Sequence, residues 1–259
     1  MSAVNFSASD AAPFPQLRAA YLRAVARSWR DPAYLGRLLL AKKTHPKRGA
    51  LAVLEEDYKF KFPFHVRLLI DVKKRPVFRP NDVCGWFGFA DEFKLALPAR
   101  PARKEMEAGV LARYYEQFPT LLGQGDLTLL SPEGARAIGI SDLNIGLPLP
   151  DSFGAFGLVI GNLIALTWRD RAFAKRLFDP ELEDARPLVE DATDSLVPWN
   201  FNLRFELAEG KSSEKDEYWY SFPDTTITLH LPEKPDLDVE AVALAAYNAT
   251  GGQYPFSCG

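Results

Sequence analysis

The chain has 259 residues, of which 47% are hydrophobic and 25% are charged, an ordinary composition for a folded protein. Its 31 Lys and Arg residues against 34 Asp and Glu give a net charge of −3, which argues against a nucleic-acid partner. Cys84 and Cys258 lie far apart without a CxxC motif, which excludes a disulfide framework and a cysteine zinc site. Residues 1–14 contain no Lys or Arg, so no signal peptide is predicted. We expect a reduced, cytoplasmic protein without a cofactor.

The spacing of apolar residues predicts the elements in chain order. A helix is expected over residues 17–40, with a second short helix starting at Asp31-Pro32, where Asp caps and Pro suits the first turn. Strands are expected over residues 62–72 and 83–97, and a helix over 104–117. The second half repeats this order, with an apolar helix over 153–168, a strand over 225–231 and a helix over 237–248.

The segment 152–168 contains no charged residue and has the length of a short membrane span. Its counterpart earlier in the chain, residues 14–29, carries Arg18, Arg23 and Arg27 on the corresponding helix. We therefore predict no transmembrane segment. The apolar face of 153–168 is instead expected to be buried against the sister copy or a partner.

Four sequence blocks occur twice in the same order, with slowly drifting offsets, which predicts a tandem duplication. The predicted organisation is a first repeat at 15–123, a linker at 124–151, a second repeat at 152–248 and a flexible tail at 249–259. Each repeat is interpreted as an α+β unit of two helices, strands and a final helix. The copies are expected to form an internal pseudo-dimer, which could oligomerise further. The tryptophans that recur in register are interpreted as core anchors: Trp29, Trp86, Trp168 and Trp219.

No familiar catalytic motif is present in the sequence. The three histidines, His45, His65 and His230, have no nucleophile or carboxylate at a suitable spacing and are interpreted as surface or structural residues. Cys84 could be a nucleophile or metal ligand, but a small buried hydrophobic role is favoured. The basic run at 42–48 is interpreted as a solvated loop.

The residues at the end of the chain are the best candidates for chemical modification by another protein. Residues 249–259 are rich in small residues and are not expected to form a regular element. Ser257 and Cys258 would place a hydroxyl and a thiol within reach of another protein's active site. A frayed tail without function is the alternative interpretation.

The block VARSWRDPAYLGRLL at 25–39, the aromatic strands and the strands that end in Leu-Pro resemble the nitrile hydratase-like leader peptides (NHLP). The chain is most similar to precursors of thiazole/oxazole-modified microcins (TOMM), bacteriocin-like products whose precursors occur as tandem pairs, here fused. The resemblance implies a fold related to the nitrile hydratase α subunit. The metal motif C-x-x-C-S-C of that subunit is absent, so no metal is expected.

The resemblance also implies a function. Such a chain is the precursor of a ribosomally synthesised, post-translationally modified peptide (RiPP), and is a substrate rather than an enzyme. Its partners would be a cyclodehydratase or another maturation enzyme, with a protease or exporter for the mature product. Cys258 and Ser257 are the matching candidates for modification, and Thr250 is a weaker one.

Two other functions remain open at this point. The duplication and the apolar helix at 153–168 also suit a non-catalytic binding or scaffold protein. A vestigial nitrile hydratase-like enzyme that uses Cys84 is the third alternative.

Overall fold

A computed structural model describes residues 13–62, 66–80, 85–117, 153–195, 197, 201–208, 210–212, 218–220 and 225–250. These residues form two compact units. Unit 1 contains the described part of residues 1–91, 199–201 and 226–259. Unit 2 contains the described part of residues 92–198 and 202–225. Both units combine helices with strands, consistent with the predicted mixed fold class.

Unit 1 begins with helices α1 (Pro13–Ser28), α2 (Pro32–Thr44) and α3 (Ala50–Tyr58). The Asp31 side chain caps α2 by accepting a hydrogen bond from the backbone N–H of Tyr34 at 2.9 Å, as the Asp-Pro pair predicts. The buried face of α1 has the predicted spacing of three and four residues, through Leu17, Ala20, Tyr21, Ala24 and Val25.

The third helix depends on contacts with the strand that follows it. Gly49 precedes α3 with a φ of 59°, and a Cβ there would lie 2.1 Å from the carbonyl oxygen of Leu68, so only glycine fits. Lys59 ends the helix in the left-handed conformation. The buried Glu55 carboxylate accepts a hydrogen bond at 2.9 Å from the backbone N–H of Phe62, which fixes the exit of the chain.

Strands β1 (Val66–Asp71), β2 (Val77–Phe78) and β3 (Trp86–Phe87) complete the first segment of unit 1. Side chains of β1 alternate between buried and half-buried, as expected for a strand with one face on the core. β2 and β3 form an antiparallel pair.

Unit 2 begins with β4 (Glu92–Pro98), a 3₁₀ turn at Lys104–Met106 and helix α4 (Glu107–Gln117). The next described elements are α5 (Phe153–Arg169) and α6 (Arg171–Leu177). The described part of α5 is buried along one face, through Val159, Ile160, Leu163, Ile164 and Trp168. This apolar helix therefore belongs to the core of unit 2.

The rest of unit 2 repeats contacts seen in unit 1. Asp170 caps α6 through the backbone N–H groups of Ala172 and Phe173, at 2.8 and 3.0 Å. In α7 (Arg186–Thr193), Glu190 accepts a hydrogen bond from the backbone N–H of Val197 at 2.8 Å, the same seven-residue contact that Glu55 makes.

Strand β5 (Asn202–Ala208) pairs parallel with β4, in a register that runs from Glu92 opposite Asn202 to Pro98 opposite Ala208. The antiparallel pair β6 (Gly210–Ser212) and β7 (Tyr218–Tyr220) follows. The chain then returns to unit 1 with β8 (Thr225–His230), a neighbour of β1, and helix α8 (Glu240–Thr250).

Each unit therefore contains parts of both predicted repeats. Unit 1 combines α1–α3 and β1–β3 of the first repeat with β8 and α8 of the second. Unit 2 combines α5–α7 and β5–β7 of the second repeat with β4 and α4 of the first. The boundary of each unit passes through the repeats and not between them.

The structure corrects two details of the expected elements. The expected order of helix, helix, strands and helix omits α3 and α7, which are short and begin without a side-chain cap. The expected strand at 83–97 is interrupted, because residues 88–91 between β3 and β4 are not in a strand. The helices expected at 104–117 and 237–248 and the strand at 225–231 are confirmed within a few residues.

Candidate functional site

Helix α8 leads directly into the segment that carries the predicted modification sites. It continues through Ala249 and Thr250, the first two residues of the predicted tail. Ser257 and Cys258 lie outside the described residues. The candidate site is therefore the end of α8 together with the contacts in unit 1 that hold this helix.

Aromatic side chains of unit 1 form the surface on which α8 lies. The indole N–H of Trp86 donates a hydrogen bond of 2.7 Å to the carbonyl oxygen of Ala243. The rings of Trp86 and Tyr247 meet edge to face at 5.5 Å, and the Phe89 ring stacks on Tyr247 at 5.9 Å. Ala243 and Tyr247 are one turn apart on the buried face of α8, so both are held by the same cluster.

The Tyr21 hydroxyl of α1 lies 3.4 Å from the Tyr247 hydroxyl. Burial, reinforced by the adjacent Tyr247, raises the pKa of Tyr21 well above its ordinary value. Tyr21 is therefore a neutral packing residue at physiological pH, and it holds the last described turns of α8 against α1.

An ion pair holds the first turn of α8. Arg30 donates to Oε2 of the buried Glu240 carboxylate through Nε at 3.2 Å and through Nη2 at 2.5 Å. Lys234 lies 3.7 Å from the other carboxylate oxygen. The hydrogen bond from Arg30, supported by the nearby positive charges, lowers the pKa of Glu240. A carboxylate in the first turn also suits the positive end of the helix dipole.

The other end of α8 is held by Arg18. Its guanidinium donates to the Asn248 side-chain oxygen at 2.9 Å and also to the Asn248 carbonyl oxygen. Carbonyl groups in the last turn of a helix have no partner within the helix, so Arg18 supplies a donor that α8 itself lacks. This contact lies two residues before the end of the described chain.

The segment before α8 is fixed by backbone contacts. The Trp29 indole donates to the carbonyl oxygen of Pro232 at 3.1 Å, and Arg75 donates to the carbonyl oxygens of Leu231 and Pro232 at 3.1 and 3.0 Å. The N–H of Leu231 donates to the carbonyl oxygen of Asp71 at 2.9 Å. The Leu-Pro pair that ends the strand is thus a point of attachment as well as a stop signal.

The opposite face of α8 is exposed and apolar. Leu237, just before the helix, is 76% exposed and Val242 is 61% exposed, and Ala241 and Ala245 are also exposed. At the corresponding positions before and within α4 the first repeat has Lys104 and a glycine. The apolar face is therefore a property of the helix that carries the tail.

Unit 2 contains the counterpart of the Trp29 contact. The Trp168 indole donates to the carbonyl oxygen of Pro98 at 2.9 Å. Arg100 donates to the Trp168 carbonyl oxygen at 3.1 Å and pairs with Glu107, in the first turn of α4, at 2.9 Å. The strand end before α4 in unit 2 is therefore anchored by the same tryptophan–proline contact as the strand end before α8 in unit 1.

Unit 2 also has a cavity of about 490 Å³, within the size range of small-ligand pockets. It lies near the carboxyl ends of the parallel strands β4 and β5, where ligands bind in many α/β folds. Its lining is mainly apolar with a few charged residues: Ala99, Arg100, Thr167, Trp168, Ala174, Lys175, Phe178, Asp179, Pro180 and Leu207.

The structure places several of the other predicted residues. Trp29, Trp86 and Trp168 are buried, whereas the Trp219 side chain lies outside the described part of the chain, and the role of the four as shared anchors stays a prediction. His45 is exposed after α2. The basic run is exposed except for the half-buried Arg48, which pairs with Glu55.

Of the other two histidines, His230 is buried, with Nδ1 3.4 Å from the buried Asp91 carboxylate, and its backbone N–H donates to the same carboxylate at 2.6 Å. The structure thus gives His230 a carboxylate neighbour that the sequence spacing did not indicate, and its structural role stays a prediction. His65 and Cys84 lie outside the described residues, and their roles remain predictions.

Arg18, Arg30 and Glu240, which hold the tail-bearing helix, were not predicted from the sequence. Trp29-Arg30 is part of a recognised repeat block, but its partner is more than 200 positions away in the other copy. Within the described ranges, no helix is long and apolar enough to cross a membrane. The same part of the chain contains no cluster of three or more His, Cys, Asp or Glu residues able to hold a metal ion.

Comparison with protein families defines the class of the chain. The model of one family, described as ribosomal natural product, two-chain TOMM family, matches residues 12–122 and again residues 151–255. The chain belongs to this family, and both predicted repeats match it separately. The resemblance to TOMM precursors is thereby confirmed. Neither the curated proteins nor the solved structures gave a significant match.

Proposed function

We propose that this chain is a RiPP precursor whose two repeats act as a leader for a modifying enzyme and whose segment 251–259 is the substrate. The observation that carries the proposal is the match of both repeats to a family of ribosomal natural products. The position of α8 supports it, because this firmly held helix ends directly before the segment with Ser257 and Cys258. The domain relation to the nitrile hydratase α subunit is part of the same proposal.

The proposed modification is a cyclodehydration. The Cys258 thiol loses its proton and its sulfur attacks the carbonyl carbon of Ser257, which forms a new C–S bond. The former carbonyl oxygen leaves as water with two protons, and a C=N bond forms to the Cys258 nitrogen. The product is a thiazoline; a two-electron oxidant such as a flavin would remove two further electrons and two protons to give a thiazole. Ser257 would attack the Phe256 carbonyl in the same way and give an oxazoline.

Thr250 is a poorer substrate for the same reaction. Its hydroxyl would attack the carbonyl of Ala249, and both residues lie in the last turn of α8. Ring formation fixes the backbone in a planar ring and removes the amide N–H, which is incompatible with helical geometry. Modification of Thr250 would therefore require the last turn to unwind.

The length of the tail limits where the enzyme can dock. At about 3.3–3.6 Å per extended residue, the eight residues from Gly251 to Cys258 reach at most about 29 Å from the end of α8. The exposed apolar face of α8, with Leu237 and Val242, lies within that distance. We therefore assign this face as the docking site of the modifying enzyme, because an enzyme that covers it can reach both Ser257 and Cys258.

The first test measures the intact mass of the full chain co-expressed with the genes that neighbour it, followed by tandem mass spectrometry of the tail. We expect a loss of about 18 Da for each azoline, or about 20 Da for each azole, localised to Ser257 or Cys258. Cys258→Ala removes the part of the loss that belongs to Cys258, and Ser257→Ala removes the other part. A chain that keeps its full mass loss after both substitutions would contradict the assignment of these residues.

The docking site is tested by Leu237→Lys together with Val242→Lys, which place charges on the apolar face without touching the core. We expect less tail modification at an unchanged melting temperature. Leu40→Lys is the matched control, since Leu40 is 56% exposed on α2 of the same unit. Equal modification of the control and the double variant would show that the α8 face is not the docking site.

The proposal also includes the compartment and the later steps. Modification would take place in the cytoplasm, where a thiol such as Cys258 remains reduced. A protease or exporter would then act on the modified chain, and the product would leave the cell. Intact mass measured separately on the cell pellet and the culture medium tests this order of events.

The cavity in unit 2 favours one second function, a binding module. Its apolar lining with Arg100 and Lys175 suits an apolar anion, so the probe would be 8-anilinonaphthalene-1-sulfonate. Binding of this dye that is abolished by Ala174→Phe, in a chain whose tail is never modified, would favour the binding module. Dye binding unaffected by that substitution would argue against a site in this cavity.

A further inference from the structure

Helix α8 is held mainly by residues of the repeat to which it does not belong. The tail and α8 are in the second repeat, whereas the residues that bond to α8 at Glu240, Ala243 and Asn248 are all in the first repeat: Arg30, Trp86 and Arg18. The end of the strand before α8 is also held by residues of the first repeat. The N–H of Leu231 donates to Asp71, and Pro232 accepts from the Trp29 indole.

The first repeat has no equivalent substrate of its own. Residues 117–123, which correspond to the tail by their Gln-Phe-Pro start, contain no cysteine. The first repeat thus retains the surface that holds a tail-bearing helix but lacks the cysteine expected at its own end.

That surface also fits α8 better than it would fit α4, the corresponding helix of the first repeat. Gly85 packs against Ala246, whose Cβ lies 3.5 Å from the position that a Cβ on Gly85 would occupy. The residue that corresponds to Ala246 in the first repeat is Arg113, a much larger and charged residue, so the close approach of Gly85 to an alanine would be lost. The partner of Arg18 would likewise change from Asn248 to Tyr115, which lacks the amide oxygen.

Without α8 and the segment before it, the first repeat would expose Tyr21, Trp29 and Trp86, which are at most 7% exposed in unit 1. Aromatic side chains bury about 150–250 Å² each, so the exposed apolar patch would reach at most about 450–750 Å², less the area that Trp29, Trp86 and Phe78 cover on one another. The largest patch on a typical monomer is about 300–600 Å². The first repeat therefore needs the carboxyl-terminal part of the second repeat to complete its core.

We propose that the tail is presented in trans: the first repeat is the presenting partner, and the second repeat supplies the substrate. The repeats exchange their carboxyl-terminal halves, so that unit 1 requires both of them. Separated at the linker, they would remain a one-to-one complex. The role of the first repeat in modification rests on the proposed function, whereas the exchange of halves does not.

The exchange is tested by inserting a specific protease site into 124–151 of the full chain and cutting after folding. Native mass spectrometry is then expected to show both fragments in one one-to-one complex that separates only under denaturing conditions. Fragments that separate in native buffer, whether folded or aggregated, would overturn the exchange.

Presentation in trans is tested in the uncut chain by reversing the charges of one ion pair. Arg30→Glu and Glu240→Arg are each expected to lower the modified fraction of the tail, because each places two like charges against one another at the first turn of α8. The double variant restores the pair and should recover most of the modification. The tail sequence is identical in all these variants.

Arg100→Glu with its partner change Glu107→Arg is the matched control, because that pair holds α4 in unit 2. Its single variants should leave tail modification unchanged. Equal loss from both ion pairs, or no recovery in the Arg30–Glu240 double variant, would overturn presentation by the first repeat. A wild-type tail that is never modified would instead overturn the proposed function and leave the result of linker cleavage unaffected.

Discussion

Units 1 and 2 are built around the same contact but differ on their surfaces. In unit 1 the Trp29 indole donates to Pro232, and in unit 2 the Trp168 indole donates to Pro98, at 3.1 and 2.9 Å. In both units the tryptophan and the proline come from different repeats. This hydrogen bond between the repeats therefore occurs in both units, as expected because a buried indole N–H needs an acceptor.

The surfaces differ around the carboxyl-terminal helices. Glu240 of α8 is held by Arg30 from the other repeat as well as by Lys234 from its own, whereas Glu107 of α4 pairs with Arg100 from its own repeat. The exposed face of α8 is apolar, with Val242 where α4 has Gly109. The two units thus share the interior contact that joins the repeats, whereas the features suited to presenting a tail are concentrated in unit 1.

The largest effect is expected from removing the shared tryptophans one at a time. Trp29→Ala should destabilise unit 1 by about 3–5 kcal/mol, because it creates a cavity and removes one of the two hydrogen bonds to the Pro232 carbonyl, leaving only Arg75 as its donor. Trp168→Ala should do the same in unit 2. Hydrogen exchange followed by mass spectrometry would locate each effect. Equal loss of protection in both units from either substitution would show that the units do not respond separately.

A smaller effect is expected at the residue that precedes α3 in unit 1 and α7 in unit 2, where the backbone conformations differ. Gly49 precedes α3 with a φ of 59°, whereas Ala185 precedes α7 with a φ of −86°. Gly49→Ala should cost more than about 2 kcal/mol, from left-handed strain and from the clash with the Leu68 carbonyl. Ala185→Gly should cost only about 0.8 kcal/mol, the contribution of the buried methyl group that is lost. Chemical denaturation of the two variants would rank them, and the reverse ranking would contradict this account.

The smallest effect is expected from acid. The pKa of Glu240 is lowered in the folded chain, so its stabilising contribution is complete above the ordinary value of about 4.5 and is lost as the pH falls through the lowered pKa. Near-ultraviolet circular dichroism, which reports on Trp29 and Trp86, should therefore change in that acidic range. Glu240→Gln should remove this part of the pH dependence. Glu56→Gln, at an exposed carboxylate on α3, is the control and should leave the profile unchanged.

Much of the local structure could be predicted because it depends on nearby residues. The three-and-four spacing of α1, the Asp31 cap of α2 and the alternation of β8 all lie within a few positions of one another. The short helices α3 and α7 could not, because what fixes them is the strand that follows: Gly49 lies against Leu68 of β1, and the backbone N–H of Ala185 donates to the carbonyl oxygen of Leu203 in β5. The candidate site was predicted only as a tail, without the residues that hold its helix.

The sequence by itself determined that this protein is duplicated, that it mixes helices and strands, and that it resembles the precursor family to which it belongs. Only the tertiary structure decided which half of each repeat packs with which. The two repeats carry the same blocks, so Trp29 could by pattern alone bond to Pro98 or to Pro232. The choice depends on contacts between residues more than 200 positions apart, such as Trp29 with Pro232 and Arg30 with Glu240, and no local pattern records it.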